Sequence, residues 1–533
     1  MQKERDQHAP ANSGVVLRTP SKDVFEMWFR TEEELTEEQV QTGLRYVIKD
    51  GIASQAMGIL TGGAFLVAFA VKLGASNMVI GLLAAIGPLA QLLQLPSIFI
   101  VEKVRNRSLI TVVAAALSRI CWLIIALSPF IFPARIAIVV LLILLAAVSA
   151  FGAVSGCSWN SWMRDLIPQN ILGSFFSKRM RIATGIGIAL SLAAAFYLDY
   201  WKKFLPKYEI EGYSILFLLG FAAGALGLYF LAMTPERRMP QPEERPRIFK
   251  LLSQPFRDEN FRKLITFMCS WNFAVNLAGP FFMVYMLKRL GLSMSFIIGL
   301  SIVSQVMNFI FLKIWGRYTD RFSNKSVLAI CGPLFILSIL AWTFTTMPEK
   351  YFLTIPLLVV IHIVMGLSSA GVSLASGNIS MKLAPEGQAT TYLASNTIVN
   401  SVAAGIAPIL GGKFADFFSG RQLTWTLEYT SPSGKFALPT LDLQQWDFFF
   451  ALAFVIGLYS LHRLTMVKEA GEVEEKIVAQ ELMAEVRSQA RILSSVEGVR
   501  QMVSFPFSIV RNLAAKIGSD NYNKKRERKI GQE

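Results

Sequence analysis

The stretch Gly316-Arg317-Tyr318-Thr319-Asp320-Arg321-Phe322-Ser323-Asn324-Lys325 lies between two apolar runs, and a degenerate copy of it lies in the first half of the chain. The copy is Glu102-Lys103-Val104-Arg105-Asn106-Arg107-Ser108-Leu109-Ile110. It aligns without a gap with Asp320-Arg321-Phe322-Ser323-Asn324-Lys325-Ser326-Val327-Leu328. An acid, a base, a shared Asn, a second base and a shared Ser recur in order, each time just before a new apolar run. Repetition at so long a distance marks a duplicated architecture.

The chain has 533 residues, 53% hydrophobic and 17% charged, with a mean hydropathy of +0.46. Soluble domains carry charge at about 25% of positions. Apolar runs long enough to cross about 30 Å of hydrocarbon recur throughout. They lack the alternation of barrel strands, so helices must satisfy the backbone hydrogen bonds. The pattern predicts twelve spans, at roughly 51–72, 77–100, 109–131, 134–157, 180–198 and 213–233, then 264–286, 293–315, 326–347, 353–377, 389–413 and 446–465. This is an all-α membrane protein of twelve transmembrane helices in two six-helix halves. Its expected division is an N-terminal segment 1–48, a first half 49–233, a linker 234–263, a second half 264–465 and a tail 466–533.

The net charge of +15 raises the question of nucleic acid, but the basic residues cluster beside the spans, as the positive-inside rule requires. They fill the loops after spans 2, 4, 8 and 10 and the linker; Lys202, Lys203 and Lys207 on the opposite side are an exception. Both termini are expected in the cytoplasm, with the protein multi-pass in the cell (inner) membrane. No cleavable leader is expected at the polar start, with its acidic Glu32 to Glu38 cluster. The four cysteines fall in or next to apolar runs without metal-ligand spacing and read as packing residues. In the tail, 472–495 reads as a helix, 496–517 as an amphipathic helix kinked at Pro506 that lies either on the inner leaflet or against the cytoplasmic face of the protein, and 524–529 as a solvated basic end within reach of anionic lipid.

The repeat has further landmarks. Leu44-Arg45 matches Phe261-Arg262, Leu73-Gly74-Ala75-Ser76 matches Leu290-Gly291-Leu292-Ser293, and Leu166-Ile167-Pro168 matches Leu383-Ala384-Pro385. All three share a single offset, nearly that of the signature stretch. Six spans per half give the two copies the same orientation, a parallel repeat about an axis along the membrane normal.

These residues resemble the major facilitator superfamily (MFS). The G-x-x-x-D-R-x-x-x-K pattern from Gly316 to Lys325 is similar to that family's signature loop; in the first copy Ile98 replaces the Gly and Glu102 the Asp. The Gly-Pro-rich run from Ala403 to Gly412 resembles the family's span 11, and Trp162 to Pro168 also fits. The resemblance covers roughly residues 44–466 and specifies fold far better than substrate. It implies a gating role for Gly316, Asp320, Arg321, Lys325, Glu102, Arg105 and Arg107. Asp320 would pair with a basic helix end, Gly316 would allow close helix approach, and the second copy would be the stronger latch. The alternative is a solvated topology signal.

The resemblance also puts a solute site between the halves, lined by spans 1, 4, 7 and 10. Ionisable residues within spans are costly and point to function. Arg119, about 15 Å into span 3, serves either an anionic substrate group or an internal structural pair. Asp50, at the start of span 1, is either a proton-titrating carboxylate paired with Arg119 or Arg45, or a helix-edge cap. His362 in span 10 suits proton coupling or packs in the core. In span 7, Trp271, Asn272 and Asn276 are candidate cavity residues, with both amides on one face. In span 8, Ser304, Gln305 and Asn308 are candidates; interhelical hydrogen bonding is the alternative. Gly58, Gly62, Gly152 and Gly156 read as close-packing positions.

No nucleotide loop, metal cluster or nucleophile–His–acid set occurs, so neither an enzyme nor a bound cofactor is expected. Expected partners are a small solute, H+ or Na+ as an open choice of coupling ion, and lipid, with the protein a monomer. A non-transporting sensor or scaffold on the same fold, or a lipid or lysolipid transporter, are the competing readings.

Overall fold

The computed structural model describes residues 31–168, 171–239, 253–346, 350–385, 388–431, 434–469 and 480. The tail readings at 472–495, 496–517 and 524–529 lie outside the described residues, apart from residue 480, and so does most of the linker.

Twelve helices are long and apolar enough to cross a membrane. Span 1 runs from Glu37 to Lys72, broken at Gly62–Gly63, where Gly63 adopts φ +52°. Thr36 starts it with a capping box: its hydroxyl accepts from Gln39 N, and the Gln39 amide oxygen accepts from Thr36 N. The expected start at 51, and the segment boundary at 48, therefore fall inside a continuous helix. Its first turns are too polar for hydropathy to mark.

Spans 2 to 6 follow at Asn77–Val104, Arg107–Ile131, Ala134–Leu166, Leu172–Phe204 and Glu209–Ala232. Spans 7 to 12 are Glu259–Lys288, Met294–Arg321, Asn324–Thr345, Thr354–Lys382, Ala389–Phe417 and Trp446–Thr465. Several outrun their apolar windows by one to three turns, because polar residues continue the helices past the hydrocarbon edge. Between spans 11 and 12, Gln422–Ser431 and Gly434–Gln444 form an antiparallel hairpin that hydropathy did not reveal. The first half has only the short Pro206–Tyr208 turn at the matching place.

The apolar core is shared unequally. One cluster joins residues of both halves, including Phe65, Ala68 and Phe217 from the first and Leu277, Phe281 and Trp342 from the second. Its first-half members come from the ends of the spans remote from the signature loops. A separate cluster of Leu44, Val47, Trp162, Met163, Leu166 and Phe175 fills the signature-loop end of the first half alone. The halves thus merge at one end of the bundle and keep separate cores at the other.

Candidate functional site

At the end remote from the signature loops, the halves are joined by two equivalent clasps. Asp199, near the end of span 5, accepts from the backbone N–H groups of Met294 (2.9 Å) and Ser295 (2.8 Å) at the start of span 8. Asp416, at the end of span 11, accepts from Asn77 N (3.1 Å), Asn77 Nδ2 (2.9 Å) and Met78 N (2.9 Å) at the start of span 2. Each carboxylate satisfies the orphan amides of a helix N-terminus and faces its partial positive charge. Ser76 and Ser293 cap the same two helix starts from within their own halves. Asp199 and Asp416 stand at the same repeat offset as Ser76 and Ser293. That shared offset was the available signal for a pair the sequence reading passed over.

Between the clasps the helices touch at glycines. A Cβ at Gly81 would strike Pro408 O, and one at Gly412 would come within 2.8 Å of Met78 Cα. At Gly411 it would meet Leu277 O at 2.6 Å. Spans 2, 7 and 11 therefore pack backbone to backbone here. By contrast, a Cβ at Gly58, Gly152 or Gly156 would meet nothing within 4 Å, and at Gly62 only its own helix. The first three face open space and none of the four meets a neighbouring helix, which corrects their reading as close-packing sites.

A charged trio lies inside the first half. Asp50 is buried in the interior of span 1, which removes the helix-edge reading. Its Oδ1 accepts from Ser54 Oγ at 3.0 Å, and its Oδ2 is 3.9 Å from Arg179 Nη2 of span 5. Arg179 crosses Gly51, where a Cβ would collide with its guanidinium, and lies 5.1 Å over the Trp159 ring of span 4. Arg119 is also buried and attracts Asp50; its Nε donates to Gly224 O of span 6 at 2.6 Å. Glycines 224 and 227 make this slot: Cβ atoms there would meet Arg119 Cγ at 3.3 Å and Asp50 Oδ1 at 3.2 Å. The guanidinium nearest Asp50 is thus Arg179, while Arg119 acts on it through its charge.

The second-half candidates separate. Asn272 and Asn276 are half-buried and donate to their own helix, to Met268 O (2.9 Å) and Asn272 O (2.8 Å). Trp271 is turned into the core, against Phe267 and Phe335, which removes it as a lining residue. Ser304 donates to His362 O (2.8 Å) and Asn308 to Ser369 Oγ (2.9 Å), so both tie span 8 to span 10. Gln305 is exposed and reaches only Ser301 O at 3.4 Å. His362 is buried beside Trp342, with Nδ1 2.8 Å from Leu358 O, a satisfied core position.

The signature loops are built differently from expectation. Asp320 is exposed and, among the described residues, has no ion-pair partner; Glu102 is half-buried. A Cβ at Gly316 would touch only Leu374, at an ordinary 3.9 Å, so no close approach requires this glycine. Arg321 lies 5.1 Å over Phe322. Arg105 turns the chain at φ 56° and donates to Glu102 O.

The buried members are Arg107 and Lys325, and each belongs to a clasp within its own half. Glu236, just after span 6, accepts from Arg107 N (2.8 Å), Arg107 Nε (3.0 Å) and Ser108 N (2.9 Å). Asp165 pairs with the same guanidinium. Glu469, just after span 12, accepts from Lys325 N (2.7 Å), Asn324 Nδ2 (2.8 Å) and Lys382 Nζ (2.9 Å). Burial pushes the Glu469 carboxyl up, but the Lys325 amide, Lys382 and Asn324 outweigh it and hold the group below the usual range. Both glutamates lay in segments expected to be linker and tail.

Two six-helix halves, merged at one end by paired carboxylate clasps and carrying buried charge inside, have the architecture of a membrane transporter. The sequence profile of the Major Facilitator Superfamily matches residues 51–408 and 305–494, and the chain belongs to that family. Among curated proteins no significant relative is found. Among solved structures, the nucleoside transporter NupG aligns with a TM-score of 0.57 at 13% identity, over 80% of this chain and 98% of that one. The D-xylose-proton symporter gives 0.55 at 14%, over 82% and 99%. A bacterial homologue of the iron transporter ferroportin, in an inward-facing state, gives 0.58 at 11%, over 81% and 99%. At these identities the likeness is one of fold.

Proposed function

We propose that the protein is a secondary transporter that moves a small solute by alternating access, with its site between the halves and H+ coupling through Asp50. The signature-loop face is read as cytoplasmic from its Lys and Arg excess. The observation that carries the reading is the pair of interhalf clasps at Asp199 and Asp416, closing the face opposite the signature loops. Hydrogen bonds from helix ends to carboxylates can break and reform, as a gate requires. With that face closed and separate cores at the other, this is the inward-facing form, and an exposed Asp320 fits a latch released in that form. Ferroportin's homologue and XylE from E. coli were both solved inward-facing or inward-open.

Asp50, about 20 Å of helix from the start of span 1, has the Arg179 guanidinium at 3.9 Å and lies within the electrostatic reach of Arg119. Protonation of its carboxylate would release the arginines, which can then hold an anionic group of the solute. Asn272, Asn276 and the open faces at Gly58, Gly152 and Gly156 supply the rest of the proposed wall. The test uses reconstituted liposomes and a solute panel that includes anions. Wild type should show counterflow and pH-gradient-driven accumulation; Asp50→Asn should keep counterflow and lose accumulation. Accumulation by Asp50→Asn at the wild-type level would remove Asp50 as the coupling group, and absence of any flux in wild type would favour the sensor reading.

A further inference from the structure

A cavity of about 960 Å³ opens on the signature-loop face of the first half. Among the described residues its wall carries four arginines and no lysine: Arg105 from the loop after span 2, Arg164 at the end of span 4, and Arg237 and Arg238 beyond span 6. Two carboxylates share the wall, and both are already bonded, Asp165 to Arg107 and Glu33 to Arg238 at 3.2 Å. We propose that this pocket binds a phosphate-bearing anion, either a soluble phosphate compound or a lipid headgroup.

The scaffold presets the guanidinium groups. Arg105 is fixed by its left-handed turn, and its Nε is engaged with Glu102 O. Thr31–Glu32 pairs in parallel with Glu236–Arg237, and Arg238 N donates to Glu32 O at 2.8 Å. Arg237 Nε donates to Glu33 O, while its own carbonyl accepts from the buried Arg107 Nη2 at 2.8 Å. A guanidinium held at Nε still presents its two Nη nitrogens, the fork that suits phosphate oxygens. The Arg238–Glu33 pair is exposed at both ends, so a phosphate group can displace the carboxylate. A volume near 960 Å³ is generous for inorganic phosphate and ordinary for a metabolite or headgroup. Such a ligand would bridge the two loops and the linker start, and so fasten the end of the first half that stands apart from the second.

The test measures the melting temperature of the full chain in phosphatidylcholine nanodiscs, with millimolar pyrophosphate or with chloride at matched ionic strength. Pyrophosphate should raise it by roughly 2–4 °C over chloride. The Arg105→Gln/Arg164→Gln/Arg238→Gln variant should lose that rise. Lys103→Gln/Lys178→Gln, which removes charge outside the pocket wall, should keep it. If nanodiscs containing phosphatidic acid give the rise and pyrophosphate then adds nothing, the ligand is a headgroup; a rise in pure phosphatidylcholine identifies soluble phosphate. No rise over chloride in either arm, an unchanged rise in the arginine variant, or equal loss in the lysine variant would each overturn the proposal.

Discussion

The two halves solve one problem with cations from different places in the repeat. In each, the chain leaving the last span returns a glutamate to the start of the helix that follows the signature loop. In the first half Glu236 meets a buried arginine, Arg107, whose other side holds Asp165. In the second, Lys325 gives Glu469 its backbone N–H and sends its Nζ to Thr465 O, while the cation facing Glu469 is Lys382. Asp165 and Lys382 occupy equivalent places in the repeat. The first clasp is fully buried: Arg107 and Glu236 side chains are each 1% exposed. In the second, Lys382 is 45% exposed. Both halves keep the glutamate on the helix N-terminus, while the position and burial of its cationic partner differ.

Breaking the buried clasp should have the largest effect. Glu236→Ala leaves Arg107 with one half-exposed carboxylate and two uncapped amides. A loss of about 3–5 kcal/mol is expected, read as a large fall in melting temperature or in folded yield. If Glu236→Ala costs no more than Glu469→Ala, the burial contrast between the halves does not govern their stability.

The interhalf clasps should come next, and there the halves should behave alike. Asp199→Asn or Asp416→Asn removes a charged acceptor from two helix amides, about 1.5–3 kcal/mol of interaction each. The outcome is opening at that end, measured as faster thiol labelling of cysteines placed at Met78 or Ser295. Unequal labelling of the two variants would show that only one clasp holds that end together.

Acid should then distinguish the second half. The Glu469 carboxyl is held below its usual range, so its contribution is complete above the unfolded value of about 4.3. That contribution falls away as pH drops through the lower folded value. Wild type should lose melting temperature in that acid window, and Glu469→Gln should show a flatter profile there. The smallest effect is expected for Lys382→Ala, at most about 1 kcal/mol, since its ammonium is well solvated. A loss as large as that of Glu236→Ala would make the two clasps equivalent after all.

Local pattern was legible where one residue type carried the message. The twelve apolar runs, the long-distance repeat and the depth of Arg119 within span 3 could be read along the chain, whereas the apolar pattern puts Asp50 at a helix edge, because it does not mark the polar first turns of span 1 as helical. Residues whose role depends on a distant partner were not legible. Glu236 and Glu469 sit in polar segments that look like ordinary linker and tail, and only the return of the chain brings each to a helix end. Trp271 and Asn272 are neighbours in sequence, yet one helix turns the first into the core and leaves the second half-buried on its flank.

By itself the sequence determined membrane residence, the count of spans, their duplication and the family. These follow from hydrophobic runs and periodicity, which act over a few residues or through one fixed offset. Tertiary structure alone decided which end of the bundle is closed, that Asp50 lies against Arg179, and that Arg107 and Lys325 face glutamates of their own halves. Those facts depend on hydrogen bonds between residues far apart in the chain, such as Asp416 with Asn77 and Asp199 with Met294, or on helix crossings that no local pattern encodes.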